Sequence, residues 1–127
     1  WHVCRHNLAY WERRPCLGLG PAAHAFDGRN RWWNVPSVAR YCERLACNEV
    51  PVEGAERLTA EQAALEELAL LLRTRIGMPL ERVRRWPRAP EVLPGLLAEG
   101  VLAESAGRIL PTRKGLLVAD RLPALFW

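Results

Sequence analysis

The sequence has no long hydrophobic run, no secretion signal and almost no lysine. No apolar stretch among the 127 residues approaches the roughly 20 that a membrane-crossing helix needs. No basic, apolar, small-residue leader opens the chain. The cytoplasm is therefore the expected location. The first residue is Trp1 rather than Met, as expected of a piece cut from a longer protein. There is no internal repeat, which excludes a solenoid, and no low-complexity tract. What remains is a globular balance, half hydrophobic and one quarter charged, enough for one domain with a core or a small domain plus an appendage.

Lys114 is the sole lysine among 18 basic residues, which face 14 acidic ones for a net charge of +4. That excess permits an anionic ligand or nucleic acid without requiring either. The four cysteines are Cys4, Cys16, Cys42 and Cys47; Cys42 and Cys47 are five apart on a predicted helix and point in different directions, so they are not read as the opening pair of a structural zinc site. Without a secretion signal they are expected to be reduced. Cys42 and Cys47 fall on a predicted helix and are read as small buried hydrophobes.

Composition changes near Pro51–Leu58, dividing the chain into 1–50 and 51–127. The first part is rich in Trp, His, Asn, Gly and Pro. Leu17 and Leu19 alternate with Gly18 and Gly20, which predicts a short strand with close backbone approach at the glycines. Asp27-Gly28 predicts a turn, and Arg31-Trp32-Trp33 a second strand. Asn34 is placed as the cap of a helix to about Cys47, with Val38, Tyr41, Cys42 and Leu45 on its apolar face and Asn48 as its stop.

The second part is periodic. Thr59 and Gln62 form a capping box with Leu58 at the staple position. The helix they start carries Leu65, Leu68, Ala69 and Leu72 at helical spacing and is drawn to about Arg75. Short helices are predicted over 80–86 and 91–99, the latter despite Pro94. Ser105-Ala106-Gly107 marks a hairpin. Thr112 caps a final helix containing Leu116, Leu117, Ala119 and Leu122. Helix, helix, helix, hairpin, helix is a winged-helix-like order, and such modules often bind DNA. Here the helix before the hairpin, Glu91 to Glu99, carries two carboxylates and no Arg, Lys, Asn or Gln. A groove-reading helix needs phosphate-neutralising and base-reading side chains, so no nucleic-acid partner is expected. A winged module used only for interaction stays open as a reading of the bare residues. The basic group Arg82, Arg84, Arg85 and Arg88 is read as a solvated face.

The sharpest chemical feature is Arg5-His6-Asn7-Leu8-Ala9-Tyr10-Trp11. Imidazole is a common axial ligand of haem iron. Tyr10 and Trp11 would lie against a flat porphyrin, Arg5, Arg13 and Arg14 would pair with its propionates, and Cys4 is a second soft candidate ligand. The competing reading makes His6 and Asn7 hydrogen-bonded structural residues and Tyr10 and Trp11 core. The segment Leu17 to His24 lacks G-x-G-x-x-G and is not a dinucleotide fingerprint.

These segments together resemble the HemW family, which is related to the HemN oxygen-independent coproporphyrinogen III oxidases. His6-Asn7-Leu8-Ala9-Tyr10-Trp11 matches the H-N-x-x-Y-W pattern of the HemW branch. Leu17-Gly18-Leu19-Gly20-Pro21-Ala22-Ala23-His24, Trp33-Asn34, Tyr41, Pro51-Val52, Leu72 to Gly77, Gly100-Val101-Leu102 and Leu110 to Gly115 follow in family order. The resemblance implies an α+β, mostly α fold: the end of a radical SAM partial barrel and a linker helix over 1–50, then the winged-helix-like C-terminal domain over 51–127. It implies a haem chaperone that transfers haem to accepting proteins, with His6, Asn7, Tyr10 and Trp11 binding haem and His6 on the iron. It places Gly20, Ala23 and His24 near S-adenosylmethionine and makes the chain's own N-terminal barrel a partner. In such a parent a C-x3-C-x2-C motif holds a [4Fe–4S] cluster. That spacing is absent here, so the isolated chain is expected to be catalytically inactive. The alternative within the family is the oxidase, which decarboxylates coproporphyrinogen in porphyrin biosynthesis; the H-N-x-x-Y-W match favours the chaperone.

Overall fold

The computed structural model describes residues 4–127. The chain is a mixed α+β protein and divides into two compact units, Trp1–Ala63 and Ala64–Trp127.

The first unit is built on an antiparallel sheet of β1 (His24–Phe26), β2 (Asn30–Asn34) and β3 (Val52–Arg57), in the order β1-β2-β3. Helix α1 (Arg5–Trp11) precedes the sheet, and α2 (Val38–Ala46) connects β2 to β3. The β1–β2 turn forms where Asp27-Gly28 predicts it: Asp27 Oδ1 accepts from the N–H groups of Arg29 and Asn30 at 2.8 and 2.6 Å. The Leu17–Leu19 strand does not form. Only Cys16 bridges to Phe26, and Leu17 and Leu19 are exposed. Gly18 still makes the close approach expected of it, since a Cβ there would meet the His24 carbonyl oxygen at 2.3 Å.

Asn34 ends β2 and is buried. The α2 cap is Ser37, whose side chain accepts from the Arg40 N–H, so this cap falls three residues later than predicted. Asn48 ends the helix region at φ 59°, a left-handed conformation that Asn tolerates. The supposed inner face of α2 is not buried: Val38, Cys42 and Leu45 are exposed, and so is Cys47. All four cysteines are free. The first unit runs on to Ala63 rather than stopping at residue 50, because Val52–Arg57 pairs with β2. That strand reads Val-Glu-Gly-Ala-Glu-Arg and has too little apolar alternation to be seen beforehand.

The second unit begins within α3 (Ala60–Leu71) and continues through β4 (Met78–Pro79), α4 (Leu80–Val83), α5 (Ala89–Ala98), the β5–β6 hairpin (Leu102–Ser105, Arg108–Pro111), α6 (Arg113–Leu117) and α7 (Leu122–Phe126). Its sheet has the order β4-β6-β5. This is the winged-helix-like order, with the short β4 added to the hairpin. The capping box forms as expected: Thr59 N–H donates to Gln62 Oε1 at 2.8 Å, and Gln62 N–H to Thr59 Oγ1 at 3.1 Å. Helix α3 stops at Leu71, short of Arg75, because Thr74 folds the chain back. Its hydroxyl donates to the Leu71 carbonyl and accepts from the Ile76 and Gly77 N–H groups. Gly77 then turns at φ +61°, where any Cβ would meet the Ile109 carbonyl oxygen at 2.2 Å. Ala106 and Gly107, at φ 49° and 69°, give the hairpin the doubly left-handed turn that matches strand twist.

The single final helix divides in two. Thr112 caps α6 by accepting from the Gly115 N–H. A helix continued through Pro123 would set the proline ring against the Ala119 carbonyl, and Pro123 instead opens α7. Leu68, Leu72, Met78, Val83, Leu102, Ile109, Leu122 and Phe126 form the centre of one continuous core.

Candidate functional site

Helix α1 has no side-chain cap and no buried residue. His6, Asn7, Tyr10 and Trp11 are all exposed. His6 and Tyr10, four apart, lie on one helix face, and their rings meet edge to face at 5.1 Å and 88°. Among the described residues no hydrogen bond holds the His6 or Asn7 side chain, and both residues are exposed.

The arginines beside the motif divide by role. Arg13 belongs to the fold: at φ 53° it turns back so that its guanidinium donates to the Ala63 carbonyl at 3.0 Å and lies 5.1 Å from the Phe26 ring centre. Arg14 pairs with Glu12. Arg5 and Cys4 are exposed.

The second candidate group lies at the sheet. Cross-strand register puts His24, Trp33 and Gly54 side by side on one face. The His24 and Trp33 rings stack at 5.9 Å and 28°. Trp33 lies across Gly54, where a Cβ would come within 2.5 Å of the indole. The loop from Gly18 to Ala23 is held from the other elements. Asn34 Nδ2 donates to the Gly20 carbonyl at 2.9 Å, the Gly20 N–H donates to the Tyr41 hydroxyl at 3.2 Å, and the Asn34 N–H donates to the Ala23 carbonyl at 3.0 Å. Gly20 sits at φ +101°, where a side chain would be strained. Thus Gly20, Ala23 and His24 are brought together as one clamped segment. Asn34, Tyr41 and Trp33 do the positioning, and Asn34 was missed because Asn after two aromatics reads equally well as a cap.

Arg-rich as the chain is, its charges are mostly paired or solvated. The perturbed carboxyl is Asp27, held down to about 2 by the Asn30 side-chain amide first and then by the backbone N–H groups of Asn30 and Arg29. No three His, Cys, Asp or Glu side chains among the described residues come together as a metal site. The four dispersed thiols do not fit a [4Fe–4S] cluster, whereas the exposed imidazole of His6 is of the chemical type that serves as an axial haem ligand.

Comparison with known proteins brings these features together. The chain is 41% identical over 117 residues to the haem chaperone HemW of Mycobacterium tuberculosis, covering 92% of this chain and 30% of that protein. It is 29% identical over 128 residues to the haem chaperone HemW of Bacillus subtilis, with 96% and 34% coverage. The chain is part of a HemW/HemN-like protein, from its C-terminal portion. It therefore spans about a third of the length of the curated relatives it matches. The fold of the chain is similar to part of a solved structure, that of coproporphyrinogen III oxidase HemN of Escherichia coli, a radical SAM enzyme. That match has a TM-score of 0.61 and 16% identity, over 89% of this chain and 28% of HemN. No protein-family model matches the chain. In the HemW-like chain no helix among the described residues is long and apolar enough to cross a membrane.

Proposed function

We propose that this chain contributes the haem-contacting helix of a HemW-type haem chaperone, a protein that binds haem and passes it to haem-accepting proteins. The observation that carries the reading is the exposure of His6 and Tyr10 on one face of α1. His6 is the proposed axial ligand, Asn7 a further proposed haem contact, and Tyr10 and Trp11 offer flat apolar surface to the macrocycle. Arg5 is the arginine left for a propionate. Cys4 precedes the helix and is a lesser ligand candidate.

The cytoplasm is the proposed location. Gly20, Ala23 and His24 are proposed to lie near S-adenosylmethionine in the complete protein. There the chain's own N-terminal radical SAM barrel is its partner, and the [4Fe–4S] cluster with S-adenosylmethionine supplies the radical chemistry. The His24–Trp33 stack suits an aromatic ligand ring on that face. The chaperone is preferred to porphyrin-pathway decarboxylation because the likeness to HemN is one of fold, while the closer sequence matches bear the HemW name.

Haem titration followed at the Soret band tests the assignment in the complete protein. His6→Ala is expected to weaken binding, and His24→Ala and His2→Ala much less; His2 itself lies outside the described residues. Because His6 is exposed, stability should stay within about 0.5 kcal/mol of the parent. An unchanged Soret spectrum and affinity in His6→Ala would exclude His6 as the ligand.

A further inference from the structure

Arg13 stands where glycine is the usual residue. Helix α1 closes on a Schellman turn: the Arg13 N–H donates to the Tyr10 carbonyl at 3.0 Å, and the Arg14 N–H to the Ala9 carbonyl at 2.9 Å. Such a turn needs a left-handed residue just past the helix, and Arg13 takes that conformation at φ 53°. Glycine adopts it freely and Asn tolerates it, whereas a long side chain is strained there. Arginine therefore weakens the closure of a helix that has little else to hold it. Helix α1 has seven residues, no side-chain cap and no buried residue, and a helix so short is marginal by itself.

What the arginine adds is tertiary contact. Its guanidinium donates to the carbonyl of Ala63, near the start of α3 and fifty positions on, and lies over the Phe26 ring at the end of β1. A hydrogen bond from a charged donor is among the stronger ones, and a guanidinium against an aromatic face adds to it. The next residue differs. Arg14 is exposed and pairs with Glu12, two positions away, a contact within the same segment.

We propose that Arg13 is the anchor of α1. It fixes where the helix stands against Phe26 and Ala63, and so where His6 and Tyr10 are presented. Arg13 touches no ligand in this role. It is a positioning residue for the site of the haem reading, on which this second clause rests. The strained backbone is kept because the side chain reaches two elements that a glycine would leave unheld.

Amide exchange and haem titration on the complete protein test the proposal with Arg13→Asn and Arg13→Lys. Asn suits the left-handed backbone and lacks the cation, while Lys keeps both the cation and the strain. Were Arg13 only a turn residue, Asn would protect α1 at least as well as the parent does, and better than Lys. An anchor reverses that order. In Arg13→Asn the amides from Leu8 to Arg14 should exchange about tenfold faster, with those of β2 and β3 unchanged and Arg13→Lys falling between. Haem affinity should fall about tenfold in Arg13→Asn while the Soret maximum stays in place, because the iron ligand is the same. The anchor is overturned if Asn protects α1 as well as arginine does, if Lys exchanges faster than Asn, or if the acceleration spreads equally over β2 and β3. It is also overturned if Arg13→Asn keeps full haem affinity where His6→Ala loses it. Failure of the haem reading shows separately, as unchanged affinity in His6→Ala, and the order of exchange rates then decides the anchor by itself.

Discussion

From Ala64 to Trp127, leucines from α3, α5 and α7 meet Met78, Val83 and Ile109 in a shared core, and Phe126 is wholly buried in it. Among the described residues up to Ala63, those buried are Ala25, Asn34, Val35 and Leu58, while Tyr10, Trp11, Leu17, Leu19, Val38, Leu45 and Val50 are exposed. The first unit keeps its shape by backbone pairing, by the Asn34 and Tyr41 bonds to the glycine loop, and by Arg13 on Phe26 and Ala63. The contrast teaches that periodic apolar spacing is enough to build a core, whereas a small sheet bearing exposed aromatics depends on a few polar contacts, each of which counts for more.

Three measurements would sharpen or break this contrast. The largest effect should come from the second unit's core. Phe126→Ala leaves a cavity and should cost about 3–5 kcal/mol in urea unfolding, with the change in signal arising from the second unit. A cost under about 1 kcal/mol would mean that the core collapses around the gap and is not tightly packed.

A smaller loss is expected in the first unit. Asn34→Ala strips the Gly20 carbonyl of its donor and should cost about 1–3 kcal/mol. Amide exchange at Gly20 and Ala22 should speed up, while exchange in α3 and α5 stays as it was. Acceleration throughout the chain would show that the two units unfold together.

The smallest effect concerns pH. The Asp27 carboxyl is lowered from 3.8 to about 2 by the folded turn. A lowered folded pKa contributes stability above the unfolded value and loses it as pH falls through the folded one. The turn's contribution should therefore be complete above about 4 and fade toward about 2. A carboxyl titration by NMR checks this, and Asn30→Ala, which removes the first cause, should move the midpoint back toward the ordinary value. A midpoint already at that value in the parent would mean that the turn is not held in solution.

Legibility in the sequence followed the same divide. The capping box, the Leu68 and Leu72 stripe, the hairpin and the Thr112 cap all rest on contacts within a few residues, and local spacing reveals such contacts directly. The ends of α3 and α6 were misjudged. Thr74 looks like any helix residue until its hydroxyl bonds are seen, and Pro123 acts on a helix that began ten positions earlier. The candidate site was half legible. The H-N-x-x-Y-W pattern located His6 and Tyr10, but nothing in it showed that the helix is exposed or that Arg13 is taken up by Ala63.

What the sequence determined by itself was the kind of chain this is and its order of local elements, because those depend on residue identity and short-range spacing. Tertiary structure alone decided that Val52–Arg57 is a strand, that Asn34 clamps Gly20, and that α6 buries its glycine and shows its leucines. Each depends on partners fourteen or more positions away, and hydrogen-bond geometry and backbone approach at that distance leave no periodic trace in the chain.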